Sequence, residues 1–165
     1  MKSGDSGISL DTRHSQQKEP ARALLGVRVG TEAICEIEDF VATFAAEQGI
    51  ASEDKARVLI LVEELFTNLS RYGYRDRSEA PGEAEIVLEL DEDQLTIEFR
   101  DDGQEFNPLA GPPPEPEEPG EDELAGGLGL HIVRELADGA DYERADGRNV
   151  IRLNRRVSLV KVSRR

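Results

Sequence analysis

The sequence has few of the features that would stabilise a secreted protein or anchor one in a membrane. Cys35 is the only cysteine among 165 residues, so no disulfide can form within the chain and we expect a reducing compartment. No stretch approaches the about 20 consecutive apolar residues of a membrane span. Residues 1–20 also lack the apolar core of a secretion signal. We therefore expect a cytoplasmic protein with no membrane contact, in which Cys35 is a small core residue.

Positive charge is also scarce. Lys and Arg number 20 against 35 Asp and Glu, which gives a formal net charge of -15. A protein that binds nucleic acid directly needs a basic face for the phosphates, so we expect no direct contact with nucleic acid. An acidic surface can attract a basic protein partner. It can also serve only to keep the protein soluble, and the composition leaves both interpretations open.

Some segments lack the apolar periodicity of a packed element. Residues 1–22 are polar and are predicted to form a disordered tail, and residues 158–165 are predicted to form a basic C-terminal tail. Residues 23–157 between them are long enough for one domain with its own core. Within this domain, Pro108–Glu123 is rich in proline and acidic residues, so we expect a mobile or extended loop there.

Two helical patterns follow a first strand predicted at residues 24–29. The first helix is expected between an N-cap at Thr31 and a C-terminal glycine, Gly49. The second is expected from an N-cap at Ser52 to about Arg71, with its apolar residues on one arc: Val58, Leu61, Val62, Leu65 and Leu69.

Two hairpins complete the pattern. Residues 86–99 alternate about a turn at residues 91–94, and residues 142–156 do so about Asp146-Gly147. Between the hairpins, a short helix is expected at residues 129–137, ended by Gly139. The resulting order of elements predicts an α/β sandwich in which helices cover one face of a mainly antiparallel sheet.

A first candidate functional pair lies on the second predicted helix. Glu64 and Asn68 are four residues apart, which places them about 40° apart around the helix axis. An amide oxygen beside a carboxylate can hold a divalent cation, and Mg²⁺ prefers oxygen ligands that substrate phosphates complete. Such a pair also occurs on ordinary polar flanks of helices.

A second candidate, Asp101-Asp102-Gly103, directly follows a predicted strand. A carboxylate at a strand end can accept a hydrogen bond from an exocyclic amine such as that of adenine, and the glycine lets the backbone approach the ring. The alternative is an ordinary turn.

A third candidate is the glycine-rich segment at residues 126–130, which leads into the short helix. Backbone N–H groups at a helix N-terminus can cradle a phosphate. The segment is neither the Rossmann fingerprint nor the P-loop, which ends in Gly-Lys-Ser/Thr. A generic glycine-rich turn is the alternative.

The order and spacing of these features resemble the GHKL ATPase superfamily. Glu64–Tyr74 is similar to its N-box, Asp101–Pro108 to its G1 box, and Gly127–Val133 to its G2 box. The resemblance covers roughly residues 27–156. The small size of the domain, the Gly-Tyr ending of the N-box and the Phe-Asn-Pro ending of the G1 box indicate the branch of anti-sigma-factor serine kinases.

The resemblance implies a Bergerat-type ATP-binding fold, an α+β sandwich with a mixed, mainly antiparallel sheet covered on one face by three helices. It also implies that residues 108–126 form a lid over ATP. By analogy, Asn68 ligates Mg²⁺ and Glu64 is the general base for an attacking serine hydroxyl. Asp101 would accept a hydrogen bond from the adenine amino group, with Gly103 near the ring. Backbone N–H groups of four residues would contact the phosphates: Gly127, Leu128, Gly129 and Leu130.

The implied function is that of an ATP-dependent serine/threonine kinase. It would phosphorylate an anti-anti-sigma factor, sequester a sigma factor and form a homodimer. The alternatives are a non-catalytic ATP-dependent binding switch and a detached histidine-kinase ATPase domain. Two residues depart from the family pattern: Tyr72 stands where the family often has His, and Glu105 where it usually has Gly or Pro.

Overall fold

The computed structural model describes residues 19–30, 32–73, 82–110 and 128–160. The predicted order of elements is confirmed. No helix within these ranges is long and apolar enough to cross a membrane. In chain order, the elements are β1 Ala21–Arg28, α1 Ala33–Gln48, α2 Ser52–Tyr72, β2 Glu83–Asp91, β3 Gln94–Asp101, α3 Leu128–Leu136, β4 Gly139–Ala145 and β5 Arg148–Arg156.

The five strands form one open sheet in the order β1-β2-β3-β5-β4. Every neighbouring pair is antiparallel, so the sheet differs from the expected mixed one in having no parallel pair among the described strands. Two pairings follow from tight turns at Glu92-Asp93 and Asp146-Gly147, which can join only antiparallel neighbours. The long-range pairing of β3 with β5 places Asp101 directly opposite Asn149.

The three helices contribute to one buried core with alternate residues of the strands, which confirms the predicted sandwich. The predicted apolar arc of α2 is buried in full. Cys35, which was expected in this core, is exposed instead. The reason is that Ile37 defines the inward face of α1, and a residue two positions away lies about 200° around the helix.

The other face of the sheet carries ion pairs. Glu98 on β3 pairs with Arg152 on β5 at 2.6 Å and with Arg100 at 2.5 Å. Arg148 pairs with Glu85 on β2 at 3.1 Å. These partly exposed pairs contribute little stability, but they make this face polar, so the apolar residues of the sheet concentrate on the face that the helices cover.

Both ends of the domain extend beyond the predicted boundaries. β1 begins at Ala21, so its first two residues belong to the sheet rather than to the predicted tail. At the other end, Leu159 bridges Ile50, and Val160 N donates to Gly49 O at 2.7 Å. Residues 158–160 are therefore held against the fold. The remainder of both tails, residues 1–18 and 161–165, lies outside the described residues.

Of the described residues that were predicted to cap or end a helix, one was correct and two were wrong. Gly49 ends α1 in the left-handed conformation, as predicted. Ser52 is the first residue of α2 rather than its cap, because the extended backbone lies one residue earlier, at Ala51. Gly139 begins β4 instead of ending α3, since Asp138 N already donates to Asn154 O at 2.8 Å and starts the pairing with β5. The predicted N-cap Thr31 lies outside the described ranges.

A buried carboxylate ties the start of α2 to the end of the sheet. Asp54 accepts hydrogen bonds from Arg57 at 3.1 Å, from Arg155 at 3.2 Å and from Ser158 N at 2.8 Å. Arg155 also donates to Leu136 O at the end of α3. Burial disfavours the charged form, but the hydrogen bonds from Ser158, Arg155 and Arg57 outweigh it and hold the pKa of Asp54 below its usual value. The ionised carboxylate therefore joins α2, α3 and β5.

Asp54→Asn should lower the free energy of unfolding by about 3 kcal/mol at neutral pH, because it leaves Arg155 without its buried countercharge. Since the folded pKa of Asp54 is depressed, this stabilisation is present above the ordinary Asp pKa and is lost as the pH falls through the folded pKa. Urea unfolding at several pH values measures both effects. Glu53→Gln is the matched control, because Glu53 pairs with Arg57, the other arginine that contacts Asp54, but is exposed. An equal loss in the two variants would contradict the role of Asp54.

Candidate functional site

A pocket lies between the C-terminal half of α2 and the adjoining ends of β3 and β5. Three of the four buried polar side chains in the described ranges line it: Asn68, Asp101 and Asn149. Concave sites with mainly apolar walls and a few convergent polar groups are typical of small-molecule binding. The remaining lining residues are Leu65, Leu69, Gly73, Phe99, Gln104, Phe106, Pro108 and Ile151.

Asp101, the last residue of β3, is 4% exposed. Its Oδ1 accepts hydrogen bonds from Gly103 N and from Asn149 Nδ2, both at 2.8 Å. Neither of these hydrogen bonds involves Oδ2. Burial raises the pKa of Asp101, while the hydrogen bonds from Asn149 and Gly103 and the charge of Arg144 oppose the rise. The predicted acceptor is therefore a buried carboxylate with one oxygen already bound.

Asn149 connects this carboxylate to the rest of the pocket. Its Nδ2 donates to Asp101 Oδ1 and to Gln104 O, both at 2.8 Å. Its Oδ1 accepts from Arg144 Nη1 at 2.8 Å, from Tyr142 OH at 3.0 Å and from Phe106 N at 3.2 Å. No sequence motif singles out Asn149. Only the pairing of β3 with β5 brings it to the site.

Gly103 lets the loop after β3 pack against the end of α2. Gln104 N donates to Gly73 O at 2.9 Å. A Cβ added at Gly103 would lie 2.8 Å from Asp101 Oδ1 and 3.1 Å from Gly73 O, closer than such atoms normally pack. Gly103, predicted to lie near a ligand ring, is therefore also required by the contact between the protein's own elements.

Asn68 lies on α2 and lines the pocket. Its side chain is buried, and Nδ2 has no hydrogen-bond partner among the described residues. A buried amide without a partner costs free energy unless a ligand or water satisfies it. The predicted position of Asn68 at a ligand site therefore fits its surroundings.

Glu64 lies one helical turn before Asn68. It is half-buried and is not among the residues that line the pocket. The structure thus brings Asn68 and Asp101 together in one site but leaves Glu64 beside that site on the same helix.

The glycine-rich segment is described only in part. Leu128, Gly129 and Leu130 form the first turn of α3, which begins one residue earlier than predicted, and α3 packs against α2. The first N–H groups of a helix have no partner within the helix and can bind an anion. Gly126 and Gly127 lie outside the described residues.

The segment predicted to be a lid is described only at its start. Asn107 Oδ1 accepts a hydrogen bond from Leu109 N at 2.8 Å, and Arg134 on α3 donates to Leu109 O at 3.2 Å. Pro108 lines the pocket. Residues 111–126 of the predicted lid lie outside the described ranges.

The fold is a single sheet with helices on one face. Its pocket is lined by a buried carboxylate at a strand end and a buried amide on a helix, and this arrangement fits the class of Bergerat-type ATP-binding domains. The family model of the histidine kinase-like ATPase domain matches residues 29–155. The chain belongs to this family, and ATP binding is implied at the level of the family. No curated protein matches the chain.

Among solved structures, the chain is similar to the crystal structure of the RsbU and RsbW domains of Rv1364c from Mycobacterium tuberculosis. The two share 15% sequence identity at a TM-score of 0.54. The match covers 82% of this chain and 32% of that chain, so this chain spans about a third of the length of its structural relative. This likeness shows the shared fold.

Gly103→Ala should weaken ATP binding, because the added methyl group would displace the Asp101 carboxylate or push α2 away from the loop. Overpacking of this kind should also lower the free energy of unfolding by about 1–3 kcal/mol. Calorimetric titration with ATP and urea unfolding measure the two effects. Gly26→Ala is the control, since a Cβ there would meet nothing within 4 Å. ATP affinity equal to that of the wild type in Gly103→Ala would show that the close packing is not needed for binding.

Proposed function

We propose that this chain is an ATP- and Mg²⁺-dependent serine/threonine protein kinase that also acts as an anti-sigma factor. It would phosphorylate an anti-anti-sigma factor and sequester a sigma factor in the cytoplasm. The observation that carries the proposal is the buried Asp101 carboxylate, whose hydrogen bonds to Gly103 and Asn149 both use Oδ1. The chain also belongs to an ATPase family and resembles in fold a structure that contains an RsbW domain, and both findings support the proposed kinase.

The pocket residues suggest how ATP would lie. Asp101 Oδ2 would accept a hydrogen bond from the adenine amino group, with the Gly103 backbone against the base. The N-terminus of α3 would direct the N–H groups of residues 128–130 toward the phosphates, together with Gly127, because the positive end of a helix favours anions. Asn68, which lines the same pocket as Asp101, would lie between the base and the phosphates.

Asn68 fits the role of a Mg²⁺ ligand through its amide oxygen. Among the described residues its Nδ2 has no hydrogen-bond partner, so Nδ2 could donate to a phosphate oxygen while the amide oxygen ligates the ion. The described residues hold no cluster of three or more His, Cys, Asp or Glu. That suits Mg²⁺, which usually takes one or two protein ligands and completes its shell with phosphates and waters. When bound, the ion neutralises phosphate charge.

Glu64 is proposed as the general base. A carboxylate one helical turn from Asn68 would accept the proton of the substrate serine hydroxyl as its oxygen attacks the γ-phosphorus. The bond from that phosphorus to the β,γ-bridging oxygen would break, and ADP would leave. Phosphoryl transfer needs mainly positioning and charge neutralisation, so the small set of groups on α2 and α3 is chemically sufficient.

A second candidate is an ATP-dependent binding switch that transfers no phosphate. The specific observation in its favour is that Glu64 does not line the pocket. A switch needs Asn68 and Asp101 for nucleotide binding but has no use for a base, so the two candidates differ at Glu64.

Asn68→Ala should weaken binding of Mg²⁺-ATP far more than binding of metal-free ATP, because it removes an oxygen ligand of the ion. Isothermal titration calorimetry with Mg²⁺ and with EDTA measures both affinities. Asn154→Ala, at an exposed position on β5, is the control for a general loss of stability. Equal losses of ATP affinity under the two conditions would show that Asn68 is not a ligand of the metal ion.

Glu64→Gln should leave ATP binding intact and slow phosphate transfer by about 10²–10⁴-fold, since it removes the proton acceptor with little change of shape. Single-turnover transfer from radiolabelled ATP to a purified anti-anti-sigma protein measures the rate. Glu63→Gln, the adjacent carboxylate on α2, is the matched control and should transfer at nearly the rate of the wild type. An unchanged rate in Glu64→Gln would show that Glu64 is not the base. A wild type that binds ATP without transfer would favour the switch.

A further inference from the structure

Asn149 is buried as deeply as Asp101, and the proposed function assigns it no role. It makes five hydrogen bonds to five different residues, from the edge strand β4, from the end of β3 and from the loop after it. A side chain with all of its polar atoms engaged in this way is held in one orientation.

The orientation of the amide follows from its partners. Tyr142 OH, Arg144 Nη1 and Phe106 N converge on one end of the group, and two of these are N–H donors. Those two require an oxygen at that end, because an amide NH₂ would oppose them. The other end must therefore be Nδ2, which faces Asp101 Oδ1 and Gln104 O.

We infer that Asn149 is a positioning residue for recognition of the purine base. Its Nδ2, together with Gly103 N, occupies Asp101 Oδ1, so that Oδ2 is the oxygen of this carboxylate that can accept from the exocyclic amine of the base. The inference rests on the proposed ATP site and adds a residue that orients the acceptor without itself touching the nucleotide.

The effect of Asn149 on Asp101 is also electrostatic. Burial raises the pKa of Asp101, and the Asn149 hydrogen bond is the strongest influence that opposes this rise. Loss of the donor would therefore favour a protonated Asp101. A protonated carboxyl group is a poorer acceptor for an amine, so the loss would weaken base binding as well as free the side chain to rotate.

Asn149→Asp separates positioning from a purely structural role. The introduced carboxylate keeps the acceptor for Tyr142, Arg144 and Phe106 but removes the donor to Asp101 and to Gln104 O. If Asn149 only braces the loop, any loss of ATP binding should be the same at every pH. If it positions Asp101, two buried carboxylates now face each other, and we expect ATP binding at about pH 8 to weaken at least tenfold.

The pH dependence gives a readout that loss of structure would not produce. The facing carboxylates should share one proton at a raised pKa, and the protonated introduced group can again donate to Asp101. The Kd of Asn149→Asp, divided by that of the wild type at the same pH, should therefore fall as the pH is lowered from about 8 to about 5.5. This ratio cancels the titration of ATP itself. The other ionisable groups around the pair are Arg144 and Tyr142 on β4, and Asp102 and Glu105 in the loop; the pocket-lining residues of α2 are uncharged.

Tyr142→Phe is the matched control. It removes one donor to Asn149 Oδ1 and leaves the Nδ2 contact in place, so ATP affinity should change by less than threefold and the ratio should not vary with pH. Unaltered ATP binding by Asn149→Asp across the pH range would overturn the inference. A loss that is the same at every pH in a folded variant would overturn it as well.

If Asn149→Asp does not fold, an NMR titration of the wild type tests the inference instead. The side-chain amide resonances of Asn149 should shift with the same midpoint as the ¹³C carboxyl resonance of Asp101 in a pH titration, and should shift again on addition of ATP. Amide resonances of Asn149 that do not shift as Asp101 titrates would contradict the inference. A wild type in which the two groups titrate together but ATP does not bind would reject the proposed function and leave the pairing intact.

Discussion

The hydrogen bond from Asn149 to Asp101 joins the fold to the site. It exists only because β3 and β5, which are separated by a helix and a strand in the chain, pair in the register that places these residues opposite each other. Gly103 N donates to the same carboxylate oxygen, and Gln104 N in the same loop donates to Gly73 O after α2. A shift of register by one residue would turn Asp101 to the other face of the sheet.

Two buried carboxylates in this domain have opposite pKa shifts, and the difference matches their roles. Asp54 meets two arginines and a backbone N–H, which hold its pKa low despite burial. Asp101 receives only a side-chain amide and a backbone N–H, with one arginine farther away, and its pKa is raised. The carboxylate that holds elements together is fully compensated, whereas the one in the pocket is compensated only in part. Incomplete compensation of a buried charge is typical of functional sites.

Local patterns were sufficient to predict much of this protein. Period-2 and period-3.6 patterns predicted the elements, and the turn after Ala145 and the glycine after α1 were found at their predicted positions. Asp101 could be singled out because it ends a strand beside a glycine. Asn149 could not, because its importance depends on a strand pairing that spans 48 residues. The same reason applies to Leu159, whose bridge to Ile50 depends on backbone pairing over a long separation.

We propose that Oδ2 of Asp101 accepts a hydrogen bond from the amino group of adenine. The most direct test compares ATP with purine riboside triphosphate, which lacks that amino group, in the wild type and in Asp101→Asn. A hydrogen bond to a buried charged group should be worth about 1.5–3 kcal/mol, so the wild type should bind ATP roughly 10- to 100-fold more tightly than the analogue. Asp101→Asn should bind the two nearly equally. If the wild type does not discriminate between them, or if Asp101→Asn retains the full preference for ATP, the account of the site is wrong.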